Sequence, residues 1–233
     1  MKRNGARKNW MLDQIRSAPV SFIPYMLDNW DSLGPQIRTH VEIVLTAITI
    51  AALLGIALGF LSARSTRFSS IATAITSTLL TIPSFALFGA LTIWLGIGDL
   101  PVKIGLILYA LLPIQRNTAA GLREIDPAVL EAARGMGMRP LQLLRTVELP
   151  LAMPLIVAGL RQATVLIVAI ATVGAAVGSN NLGQPILEGI RGSNREAILS
   201  GVVPVAGIGL LADGILGGAQ RLLVRGRSLK GAE

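Results

Sequence analysis

Residues 41–61 read VEIVLTAITIAALLGIALGFL, with a single charge, Glu42, at the edge. At about 1.5 Å per residue, such a run crosses a hydrocarbon core of about 30 Å as one helix, which satisfies its backbone N–H and C=O groups from within. A barrel strand would alternate apolar and polar side chains, whereas this run is apolar on all sides. Further long apolar runs follow at about residues 69–96, 104–120, 151–177 and 197–216. Only 15% of the residues are charged and 52% are hydrophobic, against about a quarter charged in soluble domains. These runs predict an all-α, polytopic helical membrane protein of about five transmembrane helices. The second run is longer than one straight span needs and holds Pro83 at its middle, so it is one broken helix or, if divided, two short ones that bring the count to six.

The segments outside the runs complete the organisation. Residues 1–17 are basic and too poor in apolar residues for a signal peptide. Residues 18–37 hold Phe22, Tyr25 and Trp30 with three prolines, and their short apolar stretch suits the membrane interface better than a span. The expected division is thus a tail and interfacial segment at 1–37, a transmembrane domain at 38–222 with a polar loop at 122–150, and a basic C-terminal tail at 223–233. The chain has no cysteine and a single histidine, His40, which reads as an interfacial polar residue, and no metal site is expected. A net charge of +8 fits anionic headgroups rather than nucleic acid.

Residues 126–150, DPAVLEAARGMGMRPLQLLRTVELP, form an arginine-bearing insert between apolar runs. Asp126 is placed to cap a first short helix, with Pro127 at a position that needs no N–H. Gly137 permits a turn and Pro140 opens a second helix. Pro150 is expected to end the insert, since proline blocks helix continuation and biases Leu149 away from the helical region. A helix-turn-helix beside the membrane is the result. With the insert in the cytoplasm and five spans, the inner segments hold Arg64, Arg67, Arg116, Arg123, Arg134, Arg139, Arg145, Arg221, Arg225, Arg227 and Lys230, and the outer loops hold Lys103, Arg191 and Arg195. Eleven basic residues against three place the insert and the C-terminus inside. Lys2, Arg3, Arg7, Lys8, Arg16 and Arg38 then fall outside, a conflict that a sixth span removes.

Within the insert, Glu131-Ala132-Ala133, then Gly137, then Val147, Leu149 and Pro150 resemble the cytoplasmic EAA loop of ABC importer permeases: EAA, three residues, G, nine residues, I, one residue, LP. Valine stands where that pattern has isoleucine. The stretches at 78–98, 107–138 and 178–190 look most like the osmoprotectant branch of that superfamily, whose members import glycine betaine, choline, carnitine or proline betaine. The resemblance covers about residues 40–222. It implies a non-catalytic membrane subunit in a bacterial inner membrane, whose insert docks in a cleft of an ATPase subunit through Glu131, Ala132, Ala133, Arg134, Met136, Gly137 and Arg139. It also implies a second permease subunit, copy or paralogue, and an extracytoplasmic binding protein. The sequence contains no GxxxxGK[ST] phosphate loop, so no cofactor is expected in this chain, ATP and Mg being bound by the partner ATPase.

Candidates for the translocation path are Thr81, Pro83 and Ser84 in the hydroxyl-rich second run, Pro113 in the third, and Asn180 and Asn181 in the outer loop, where glycines permit non-helical backbone. The hydroxyls equally suit bonding back to their own helix carbonyls. No aromatic cage for a quaternary ammonium is evident among Phe85, Phe88, Trp94 and Tyr109, so selection is assigned to the binding protein. Asp213 is an intramembrane carboxylate, read as a structural partner of an inner-side group such as Arg161, with Gln162 alongside, in preference to a proton carrier. The rival functions are an ABC permease for another small solute such as an amino acid, a sulfonate or nitrate, an ion-coupled carrier using Asp213, and a non-transporting scaffold.

Overall fold

The computed structural model describes residues 22–228; the basic tail expected at 1–17 and Lys230 lie outside the described residues. Among those described, every regular element is helical. In order they are a short stretch at 22–28 (α1), Trp30–Arg64 (α2), Thr66–Thr81 (α3), Ser84–Leu95 (α4), Asp99–Arg123 (α5), Pro127–Gly135 (α6), Pro140–Leu143 (α7), a π-helical turn at Leu144–Glu148, Leu149–Ala171 (α8), a 3-10 turn at Thr172–Val177, Gly183–Gly192 (α9) and Arg195–Ser228 (α10).

Helix α5 is the centre of the bundle, with α2 and α8 packed along it. Val102, Leu106, Tyr109, Ala110 and Ile114 are buried there against Ile43, Ala47 and Ala51 of α2 and Ala163 and Ile167 of α8. Close approach of α2 to α5 depends on small residues. A Cβ on Gly59 would lie 2.5 Å from Thr118 Cβ and 2.8 Å from the Gln115 carbonyl oxygen, and one on Gly55 would lie 2.8 Å from Ile114 Cβ. Ala47, Ala51, Gly55 and Gly59 are all buried and recur every fourth residue, the spacing that lets two membrane helices touch backbone to side chain.

Three helical segments among the described residues are long and apolar enough to cross a membrane: Trp30–Arg64, Pro140–Val177 and Arg195–Val224. Thr66–Thr81 and Ser84–Leu95 make a fourth if the pair is one span, bent by 97° at the break. The expected span at 104–120 lies inside α5, which is not among them by composition. The reason is its surroundings. A helix whose neighbours are protein on most sides tolerates polar residues that lipid would not, and Gln115 and Thr118 are both buried. Gln115 joins three helices: its amide nitrogen donates to Ser62 Oγ of α2 at 3.1 Å and Thr73 Oγ1 of α3 at 3.3 Å, and its oxygen accepts from Thr76 Oγ1 at 3.0 Å.

The bend follows from Pro83. Ile82, preceding it, adopts extended backbone (φ −69°, ψ 127°), as sterics against the proline ring require. The Ile82 carbonyl, left out of the helix ladder, accepts a hydrogen bond of 2.7 Å from the buried Tyr109 hydroxyl, so the break costs no unsatisfied acceptor.

Three expectations are corrected. The boundary expected at residue 37 is absent, because α2 begins at Trp30 and runs through it, with Leu33 and Gln36 buried; Pro35 sits early in the helix and forfeits one bond without stopping it. His40 is not interfacial but fully buried, beside Val168 of α8. The loop expected on the outer side is not wholly irregular. Asn181 Oδ1 accepts from the Gly183 N–H at 2.7 Å and starts α9, an amphipathic helix that buries Pro185 and Gly189.

Candidate functional site

The insert is built by local rules. Asp126 Oδ1 accepts from the Ala128 N–H at 2.8 Å, capping α6, and Pro127 occupies its first turn. At the other end, the Gly137 N–H donates to the Arg134 carbonyl and the Met138 N–H reaches back to the Ala133 carbonyl. That pair of bonds is the Schellman arrangement, which needs a left-handed residue after the cap, and Gly137 has φ +79°. Pro140 then opens α7.

Pro150 does not end the insert. Leu149 is helical (φ −61°, ψ −49°), and the helix continues from Pro140 into the membrane span. The π-helical turn at Leu144–Glu148 shifts the backbone pairing, with the Leu149 N–H donating to Leu144 O, so Pro150 falls in the first turn of α8, where no N–H is required. The insert is therefore rigidly continuous with α8.

It is also anchored to α2. The Glu148 carboxylate, 4% exposed, accepts a hydrogen bond from Arg64 Nη2 in the last turn of α2, and the Arg64 guanidinium lies 4.8 Å from the Phe60 ring centroid. Arg123 at the end of α5 donates to the Ser62 carbonyl. A recess of about 460 Å³ lies between these anchors and the insert, lined by Phe60, Arg64, Arg134, Met138, Leu141 and Leu144 among others. Neither Glu148 nor Gln115 stood out in the sequence; the signal for Glu148 is an acid among the arginines of the insert, three residues after Arg145 and two before the last proline. Removing Arg64 strands a buried carboxylate, a class of change that costs about 3–5 kcal/mol, and the half-exposed Arg64 puts the expected value near the lower end. Arg64→Met should lower the thermal unfolding midpoint in detergent clearly more than Arg64→Lys does.

Of the residues assigned to docking, Glu131, Ala132, Arg134, Met136, Gly137 and Arg139 are exposed on the insert. Met136, 71% exposed, stands at the turn with Val129 and Leu141 as further exposed apolar side chains. Ala133 is different. It is buried within the chain, in a short helix whose tertiary neighbour is chiefly α7.

The six path candidates are not gathered into one site. Thr81, Pro83 and Ser84 lie at the α3–α4 break, where Thr81 Oγ1 donates to the Thr78 carbonyl at 2.7 Å and Thr78 Oγ1 to the Ala74 carbonyl at 2.9 Å. These hydroxyls bond back to their own helix. Pro113 is buried in α5. Asn180 is exposed, but Asn181 is fully buried and spent on structure, donating to the Ala171 carbonyl and Ser179 Oγ, both at 3.0 Å, and accepting from the Gly183 N–H at the first residue of α9. Beside the break, Phe85 shares an apolar cavity of about 290 Å³ with Thr172, Val173, Ile186 and Leu187.

Asp213 pairs with Arg161, as the sequence suggested: Nε donates to Oδ1 at 2.5 Å and Nη2 to Oδ2 at 2.6 Å. Gln162 Oε1 accepts from Asn117 Nδ2 at 3.4 Å. Both oxygens of the Asp213 carboxylate are thus held by one guanidinium. Among the described residues, no group of three or more histidine, cysteine, aspartate or glutamate side chains could hold a metal ion.

Comparison with known proteins accords with this architecture. The chain is 40% identical over 208 residues to the glycine betaine/carnitine/choline transport system permease protein OpuCD of Bacillus subtilis (strain 168), covering 89% of this chain and 91% of that one. It is 37% identical over 199 residues to the osmoprotectant import permease protein OsmW of Salmonella typhimurium (strain LT2), covering 83% and 93%. In fold it matches a chain of the MetNI methionine ABC transporter solved in inward-facing conformations, with a TM-score of 0.73 at 22% identity over 86% of this chain and 98% of that chain. Residues 51–228 match the family model described as the inner membrane component of binding-protein-dependent transport systems, and the chain belongs to that family of multi-pass ABC transporter permease subunits.

Proposed function

We propose that this chain is the permease of an ATP-driven importer for small quaternary-ammonium osmoprotectants of the glycine betaine, carnitine and choline class. The observation that carries the reading is similarity along nearly the whole chain, at 40% and 37% identity, to permeases named for those solutes. In this reading the insert and the C-terminus face the cytoplasm, the insert docks on a separate ATPase subunit that binds ATP and Mg, and a second permease subunit and an extracytoplasmic binding protein complete the transporter.

The geometry supports the mechanical part. A loop that transmits force must not absorb it by bending. This insert is capped at Asp126, locked at Gly137, continuous with α8 through the π-helical turn, and tied to α2 by Arg64–Glu148. Movement of the exposed tip at Met136 therefore drives two spanning helices at once, and through Gln115 and Arg123 the rest of the bundle. Alternation between outward- and inward-facing states follows from such rigid coupling.

The test is uptake of radiolabelled glycine betaine, carnitine and choline by a strain lacking other osmoprotectant systems and carrying this permease with its own ATPase and binding protein. ATP-dependent uptake of at least one of the three is expected. Uptake of none, with uptake of an amino acid, sulfonate or nitrate instead, would assign the chain to another solute.

A further inference from the structure

The Arg161–Asp213 pair lies within two membrane-spanning helices, yet it is not enclosed by this chain. Its side chains are 38% and 36% exposed, on a recess of about 420 Å³ that also includes Gln162, Val165 and Gln220. Lipid tails are a poor cover for such a pair, since intramembrane charges face a bundle interior or water. The surrounding surface agrees. Along one face of α8, Ala158, Gln162, Val165 and Ala169 recur at spacings of three and four residues, half-buried or exposed. Helix α10, by contrast, exposes Leu210, Leu211 and Ile215 at 68–74%, side chains suited to lipid.

The guanidinium has unused capacity. Asp213 occupies its Nε–Nη2 edge, and Nη1 has no hydrogen-bond partner among the described residues. A guanidinium presents a second fork, Nη1 with the remaining N–H of Nη2, that matches a carboxylate. Gly217 lies beside the guanidinium, where a Cβ would sit 3.4 Å from Cζ and Nη1 and 3.6 Å from Nε; having none, it adds no side chain there. Arg221 is near enough to act on the charge of Asp213, so the carboxylate has a second cation in its vicinity.

We infer that the Arg161–Asp213 pair is a specificity-determining subsite of the translocation path, which takes the carboxylate of a zwitterionic solute on the free fork of Arg161. The inference rests on the osmoprotectant reading. Glycine betaine and carnitine carry a carboxylate and a quaternary ammonium, whereas choline carries the ammonium alone. Asp213 fixes the fork and offsets most of its charge, so the solute carboxylate is oriented without being held too tightly to leave.

The experiment compares uptake of glycine betaine and choline by the intact transporter, with ATPase and binding protein unchanged, in the wild type, in Arg161→Gln/Asp213→Asn and in Arg161→Lys, normalised to permease abundance in the membrane. The double variant leaves no unpaired charge behind. Loss of charge-assisted hydrogen bonds to a carboxylate predicts a fall of about tenfold or more in betaine uptake, with choline uptake changed less than about twofold. Arg161→Lys keeps the charge but loses the fork, and should lower the betaine-to-choline ratio to a lesser degree; it decides the matter if the double variant fails to insert. Equal loss of both solutes would reduce the pair to a structural brace and overturn the inference, as would unchanged uptake of both. A wild type that imports none of glycine betaine, carnitine and choline refutes the osmoprotectant reading itself, before any variant is compared.

Discussion

Gly59→Leu is expected to remove nearly all folded permease from the membrane, to below about a tenth of the wild-type amount. The position has no room. Even a methyl group would meet Thr118 Cβ at 2.5 Å and the backbone oxygen of Gln115 at 2.8 Å, and a helix backbone cannot swing aside as the end of a long side chain can. Overpacking of a tight interior costs about 1–3 kcal/mol where neighbours adjust; here relief requires separating α2 from α5, the central contact of the bundle. Separation would also break the Gln115 bond to Ser62 and the Arg123 bond to the Ser62 carbonyl, stranding polar groups away from water. Immunoblotting of membranes and size-exclusion of the detergent-solubilised protein measure the outcome. Gly89→Ala, where an added Cβ meets nothing within 4 Å, is the control and should express normally. Wild-type abundance of Gly59→Leu would refute the claim that these helices depend on touching at that point.

What could be read from the chain before its structure is what local rules decide. The apolar run at 41–61, the break at Pro83, the cap at Asp126 and the turn at Gly137 each follow from a few consecutive residues, and each is there. Pro150 shows the limit. The rule that proline ends a helix is sound, but a π-helical turn just before it moves the proline to a harmless position, and nothing in the five residues of that turn announces it. Helix α9 was hidden because its apolar residues are few and its start is set by the Asn181 side chain folding back on Gly183. Burial is a tertiary fact: α5 has fewer apolar residues than its neighbours because it is shielded by them, so hydropathy understates the most central helix. The hydroxyl-rich stretch before Pro83 looked like a polar path and is largely satisfied by its own carbonyls. The contacts that link the insert to the bundle, Arg64–Glu148 and Gln115 with Ser62, Thr73 and Thr76, join residues far apart in the chain, and a single sequence carries no record of such pairings. The spacing of Ala47, Ala51, Gly55 and Gly59 was legible all along, since every fourth position of one span is small.

Gly137→Val should leave the permease inserted and its ATPase active while lowering solute uptake at least about tenfold. The glycine is required by backbone, not by space: a Cβ there meets nothing within 4 Å, but φ is +79°, a region that costs an ordinary residue roughly 1–2 kcal/mol and a β-branched one more. A cost of that size does not unfold a bundle whose core lies elsewhere. It does favour loss of the two bonds from Gly137 and Met138 that close α6, and with them the fixed angle between α6 and α7. If the insert is the element through which nucleotide-driven motion reaches the membrane, a soft joint at its tip dissipates that motion. ATP hydrolysis and uptake then separate. Asparagine tolerates the left-handed conformation better than other side chains, so Gly137→Asn should retain most of the uptake while adding a side chain of similar bulk. That contrast distinguishes a demand on backbone shape from a demand on surface shape. Measured in proteoliposomes holding the complete transporter, a high ratio of ATP hydrolysed to solute imported in Gly137→Val, and a near-normal ratio in Gly137→Asn, are the expected pair of results. Normal uptake in Gly137→Val would mean that the insert transmits no force through this turn.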